Sequence, residues 1–105
     1  MIIRQGLQNL FIVMVAFLQL MNISAYTPYE CGLNHITASG AWATEGVTCA
    51  ADHLPFGARV TVNGHTYIVQ DRFGGGYTDR LDLFMESTAA AFQWGRQWIT
   101  CQVEY

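Results

Sequence analysis

The chain has 105 residues, 51% of them apolar and 12% charged, with a formal net charge of −3 and no lysine. One domain suits that length, and the composition excludes a disordered tail, a collagen-like fibre and a multi-span membrane protein. The four arginines after residue 25 form no cluster, so nucleic acid is not expected as a partner.

Residues 1–25 carry much of the apolar excess. Arg4 supplies a positive start, Leu10 to Leu18 is unbroken apolar, and Asn22-Ile23-Ser24-Ala25 ends in a small residue. This is the pattern of a secretory signal, with cleavage expected after Ala25. The run is shorter than the roughly 20 residues that a comfortable transmembrane helix needs. A hydrophobic first strand or an uncleaved anchor are the alternatives. Export implies a secreted, periplasmic or cell-envelope protein, in membrane contact only if the segment is retained. Residues 26–105 are then the working domain, expected to act as a monomer. A domain of that size buries only about 60% of its unfolded surface and is marginal in stability.

Short strands follow. Gly46 to Ala51 reads as one, and Ala58 to Asn63 as another, with Val60 and Val62 on one face. Asn63-Gly64 is the dipeptide of a two-residue type I′ hairpin, and His65 to Gln70 is the return strand. Gly74-Gly75-Gly76 must be a loop, and Arg80 to Phe84 is a short strand. Ser87 can cap a helix over Thr88 to Trp94, which Gly95 can end in the left-handed conformation. Trp98 to Glu104 alternates as the last strand, and Trp94 and Trp98 are expected in the core. Five or six short strands and one helix predict an all-β protein, a small closed barrel without exposed strand edges.

Cys31, Cys49 and Cys101 are odd in number, so at most one internal bridge forms. Cys49 and Cys101 both alternate with inward positions and are bridged or simply buried; Cys31 lies in a turn-like segment. The chain has no CxxC, and His35, His53 and His65 lack ligand spacing, so no metal or other cofactor is implied.

Three aspartates could do chemistry. Asp71 ends a strand before the three glycines, Asp82 sits between Leu81 and Leu83, and Asp52 ends another strand before Leu54-Pro55-Phe56-Gly57. A carboxylate among apolar neighbours, or beside a second carboxylate, tends to hold its proton, as general-acid work near neutral pH requires. Equally, Asp71 and Asp52 suit turns that accept from backbone N–H groups, and Asp82 suits pairing with Arg80 or Arg72.

From about Ala25 onward the chain resembles the 3D domain, a family named for three aspartates. The matching residues are Ala25-Tyr26-Thr27-Pro28, Ile36-Thr37-Ala38-Ser39-Gly40, Gly46-Val47-Thr48-Cys49-Ala50-Ala51-Asp52 and Leu54-Pro55-Phe56-Gly57. They continue through Val62-Asn63-Gly64-His65-Thr66-Tyr67, Asp71-Arg72-Phe73-Gly74-Gly75, Arg80-Leu81-Asp82-Leu83-Phe84 and Ala91-Phe92-Gln93-Trp94-Gly95. That domain occurs in membrane-bound lytic transglycosylase A and in small stationary-phase and phage wall enzymes. Rare lipoprotein A is a sister resemblance. Gly76, Tyr77 and Thr78 depart from the family pattern, and the segment between Asp52 and Pro55 is about two residues shorter than usual.

The resemblance implies a double-psi β-barrel that cleaves peptidoglycan glycan strands at the bond from N-acetylmuramic acid to N-acetylglucosamine, leaving a 1,6-anhydro ring. It implies Asp82 as the acid/base, with Asp71 beside it and Asp52 completing the cluster. Thr37, Gly40, Trp42, Gly74, Gly75 and Tyr77 are candidate substrate-binding residues, and Trp42 either stacks on a sugar or plugs the barrel end. Two other functions fit the same residues. One is a non-catalytic, expansin-like wall-binding barrel; the other is a β-1,4-glycan hydrolase using Asp52 and Asp82 as its two carboxylates.

Overall fold

The computed structural model describes residues 2–4, 10–12, 14–29 and 35–105, the first two stretches as backbone only. Ile2–Arg4 (β1) and Leu10–Ile12 (β2) pair antiparallel. The remaining strands are Ala16–Tyr26 (β3), Thr48–Ala50 (β4), Arg59–Val62 (β5), His65–Asp71 (β6), Arg80–Phe84 (β7) and Gln97–Glu104 (β8), with helix α1 at Thr88–Trp94. These six close into a barrel in the order β3-β7-β4-β6-β5-β8. The expected small all-β barrel with one short helix is what forms. Two pairs, β3·β7 and β4·β6, are parallel and so need crossover connections rather than tight hairpins.

The 11-residue β3 occupies much of the stretch that reads as an export signal. It pairs in parallel with β7 and antiparallel with β8, so it closes the barrel on both sides. Met21 and Ile23 point inward and are fully buried beside Leu81, Leu83, Val60, Val69, Cys49, Cys101 and Val103. Alternation sends Asn22, Ser24 and Tyr26 to the other face. Tyr26 joins Ala43, Ala50 and Phe84 in a second, smaller cluster.

Local chemistry explains several elements. Asn63 and Gly64 both take positive φ, 51° and 82°, as a type I′ turn demands. Ser87 accepts from the Ala90 N–H at the helix start, and Gly95 ends the helix at φ 67°, ψ −128°, which is positive φ but outside the left-handed helical well. The strand expected from Gly46 is shorter, because Gly46 takes φ 81° in a turn. Trp94 packs on the core and its indole N–H donates to the Ile23 carbonyl at 3.0 Å. Trp98, expected inside, is 58% exposed, because β8 turns its even positions outward. Cys49 and Cys101 are buried free thiols, whereas Cys31 lies outside the described residues. No helix among the described residues is long and apolar enough to cross a membrane.

Candidate active site

A cleft of about 350 Å³ is lined by Tyr26, Ile36, Ala50, Asp71, Arg72, Phe73 and Asp82. Ala50 is its floor, and the register explains why two aspartates meet there. Ala50 pairs with Asp82 across the antiparallel β4·β7 ladder and with Asp71 across the parallel β4·β6 ladder. The aspartates therefore flank one small residue, with backbones about two strand spacings apart, roughly 9–10 Å.

Strict alternation would give Asp71 the inward parity of Val69. A register shift between Cys49 and Ala50 prevents this: Cys49 opposes Val69, but Ala50 opposes Asp71, so Gln70 is the additional residue. Such a bulge re-aims every side chain beyond it. Asp71 is thereby turned out of the core and into the cleft.

Three donors hold Asp71. The Tyr26 hydroxyl donates to Oδ2 at 2.9 Å, and the Ala38 and Arg72 N–H groups each donate to Oδ1 at 2.9 Å. Asp82 accepts from the Ser24 hydroxyl at 2.9 Å, and Arg80 Nη2 in turn donates to Ser24 Oγ at 3.1 Å. The flanking leucines do not surround the Asp82 carboxyl, as the sequence suggested; they are buried on the opposite face of β7. The Ser24 hydroxyl is one of its partners.

Asp52 is elsewhere. It does not line the cleft but fills a nest of five backbone N–H groups. Oδ1 accepts from Phe73 (2.7 Å) and Gly74 (3.0 Å), and Oδ2 from Gly75 (3.0 Å), Gly76 (2.8 Å) and Tyr77 (3.2 Å). Burial on its own would raise the Asp52 carboxyl. Hydrogen bonds from the Gly74, Tyr77, Gly75 and Phe73 backbones outweigh that and hold it below the usual carboxylate range. Asp52 is built to stay ionised and to shape the glycine loop.

The loop is fastened further on as well. Gln19 Nε2 donates to the Thr78 carbonyl at 2.7 Å, and Gln19 Oε1 lies 2.9 Å from His53 Nε2. Gly75 cannot carry a side chain without movement, since a Cβ there would sit 2.4 Å from Tyr77 Cε2. The Tyr77 ring meets Phe73 edge-on at 5.6 Å, and the Arg80 guanidinium lies over both rings.

Of the other candidate binding residues, Thr37 is buried and its hydroxyl bonds the Ala41 carbonyl at 2.9 Å, so it shapes a turn. Gly40 sits in that turn at φ 90°. Trp42 is 59% exposed and does not plug the barrel. Of Gly74, Gly75 and Tyr77, none lines the cleft itself. Sequence reasoning missed Ser24, Tyr26, Arg72, Phe73 and Ile36 as site residues. Ser24 lies inside the apparent signal and Tyr26 just beyond its expected end, although their spacing of two places both on one strand face.

A scan against protein-family models finds no match for the chain, and a search of curated proteins finds no matching relative.

Proposed function

We propose that the barrel cleaves glycan strands of peptidoglycan as a lytic transglycosylase, with Asp82 as the acid/base. One observation carries the reading: Asp71 and Asp82 open into the same cleft, on either side of Ala50. Protonated Asp82 gives its proton to the glycosidic oxygen as the C–O bond to the muramyl anomeric carbon breaks. The muramyl 6-hydroxyl attacks that carbon, and Asp82 takes its proton, so the carboxyl returns to its starting state and no water is consumed. Because the nucleophile belongs to the substrate, it is present at high effective concentration. The Ser24 hydroxyl suits both states of Asp82, since it donates to the carboxylate and accepts from the acid. Asp71, fixed by three donors, supplies negative charge opposite the oxocarbenium-like centre.

The rival hydrolase needs two carboxylates acting on one bond. Asp52 is poorly suited to share that work with Asp82, because its oxygens are taken up by five backbone donors outside the cleft. An expansin-like binder would use the same cleft without turnover. Digestion of purified sacculi with the full chain separates the three. Soluble fragments with anhydro ends, one water lighter than reducing ends and absent with Asp82→Asn, support the transglycosylase. Reducing ends support hydrolysis, and sedimentation with sacculi without release supports the binder.

A further inference from the structure

We infer that the cleft is the centre of a groove for long glycan strands, with Trp42 as a stacking platform for a sugar ring beyond it. The inference rests on the glycan reading above and adds a length preference to it. A cleft of about 350 Å³ lies at the small end of ligand sites, so rings beyond the scissile pair must rest on surfaces outside it.

Trp42 has what such a surface needs. Its indole is exposed yet fixed, because the His35 ring lies parallel to it at 4.9 Å and 4°. His35 is held in turn. Phe84 meets its ring edge-on at 5.7 Å, Glu86 Oε1 lies 3.3 Å from its Nε2, and its carbonyl accepts from the Ala43 N–H at 2.8 Å. Glu45 Oε1 accepts from the Glu86 N–H at 2.8 Å, which anchors that carboxylate's own backbone. His35 also takes φ 58°, a conformation that non-glycine residues rarely adopt and that persists where surrounding contacts over-determine it.

The result is a preorganised flat ring with one face backed and the other open. A π face carries negative potential and complements the C–H edge of a pyranose, and a rigid platform loses little entropy on binding. Its position fits as well. Trp42 pairs with Ile36 in an antiparallel bridge, and Ile36 lines the cleft. The platform therefore stands one cross-strand step, about 4.5–5.5 Å between Cα atoms, from the cleft wall.

The test is calorimetric titration of the full chain carrying Asp82→Asn, which holds glycan without cutting it. The probes are the N-acetylglucosamine–N-acetylmuramic acid disaccharide and long soluble peptidoglycan strands. Adding Trp42→Ala is expected to weaken long strands roughly tenfold and leave the disaccharide unchanged, while Trp42→Phe retains most of the affinity. His35→Asn, which tolerates positive φ, serves as a second variant; it removes the backing ring and is expected to weaken long strands only. Equal losses for both lengths, or no loss, overturn the platform and leave the glycan reading standing. Absence of binding by the folded Asp82→Asn chain to either probe overturns the glycan reading and the platform with it.

Discussion

Ser24 and Asp82 stand in register across the parallel β3·β7 pair, and the Ser24 hydroxyl donates to Asp82 Oδ1 at 2.9 Å. Arg80, in register with Asn22 on the same pair, reaches back to the same hydroxyl. The acid/base candidate is thus oriented by a residue from the strand beside it.

Ser24→Ala should lower glycan cleavage roughly 10- to 100-fold, as misorientation of a reacting group does. The loss should fall on kcat and leave KM close to wild type, and Ser24→Thr should restore most of it. Initial rates of anhydro-fragment release from sacculi check this, with circular dichroism to confirm the fold.

Asp52→Ala should loosen residues 73–77 without abolishing the barrel. We expect a cost of about 1–2 kcal/mol, held down because water reaches the freed N–H groups. Urea denaturation measures it, and amide exchange at Gly74 to Tyr77 should speed up. Formate added to Asp52→Gly should slow that exchange again by refilling the nest.

The same residue sets part of the acid limb of stability. Its folded carboxyl titrates below its unfolded value, so its contribution is complete above the ordinary aspartate range and is lost as pH falls through the lower folded value. Asp52→Asn should therefore lower stability near neutrality, where the ionised group contributes in full, and flatten the decline below that range. Thermal melts across an acid pH series compare the two slopes.

Gly75→Ala should displace the Tyr77 ring, whose Cε2 occupies the place of the new methyl group. Tyr77 is 46% exposed and can swing, so the expected cost is under about 1 kcal/mol. In a double-mutant cycle Tyr77→Ala should remove that cost, because the clash is then gone. Additive losses would contradict the contact.

A chain of residues 26–105 should not fold. It lacks ten of the eleven β3 residues, including fully buried Met21 and Ile23, and leaves β7 and β8 as open edges. Residues 14–105 should give a dispersed NMR spectrum and 26–105 a collapsed one.

Much of the barrel was legible in residues that carry their own instructions. Asn63-Gly64, the Ser87 cap and the Val60/Val62 alternation act within a few positions, so local chemistry sufficed. β3 was obscured because an apolar run ending in a small residue reads alike as an export signal and as a barrel strand. Asp71 and Asp82 were recognisable as candidates, but their meeting depends on a bulge opposite Ala50 that no local pattern reveals. Asp52 reads from sequence both as a member of the acidic cluster and as an acceptor of backbone N–H groups; the structure shows the second, with donors 21 to 25 residues away that no local pattern names.

The bulge at Gln70 has a consequence for how this barrel tolerates change. Length, more than side-chain identity, decides where Asp71 points. Removing Gln70 would restore regular pleating and leave that acid opposite Ala50, whereas one residue inserted just before Asp71, with the rest of the register kept, would swing it toward the apolar interior. An insertion in β6, rather than a substitution, is therefore a short route by which a descendant of this chain could keep its architecture and lose its chemistry.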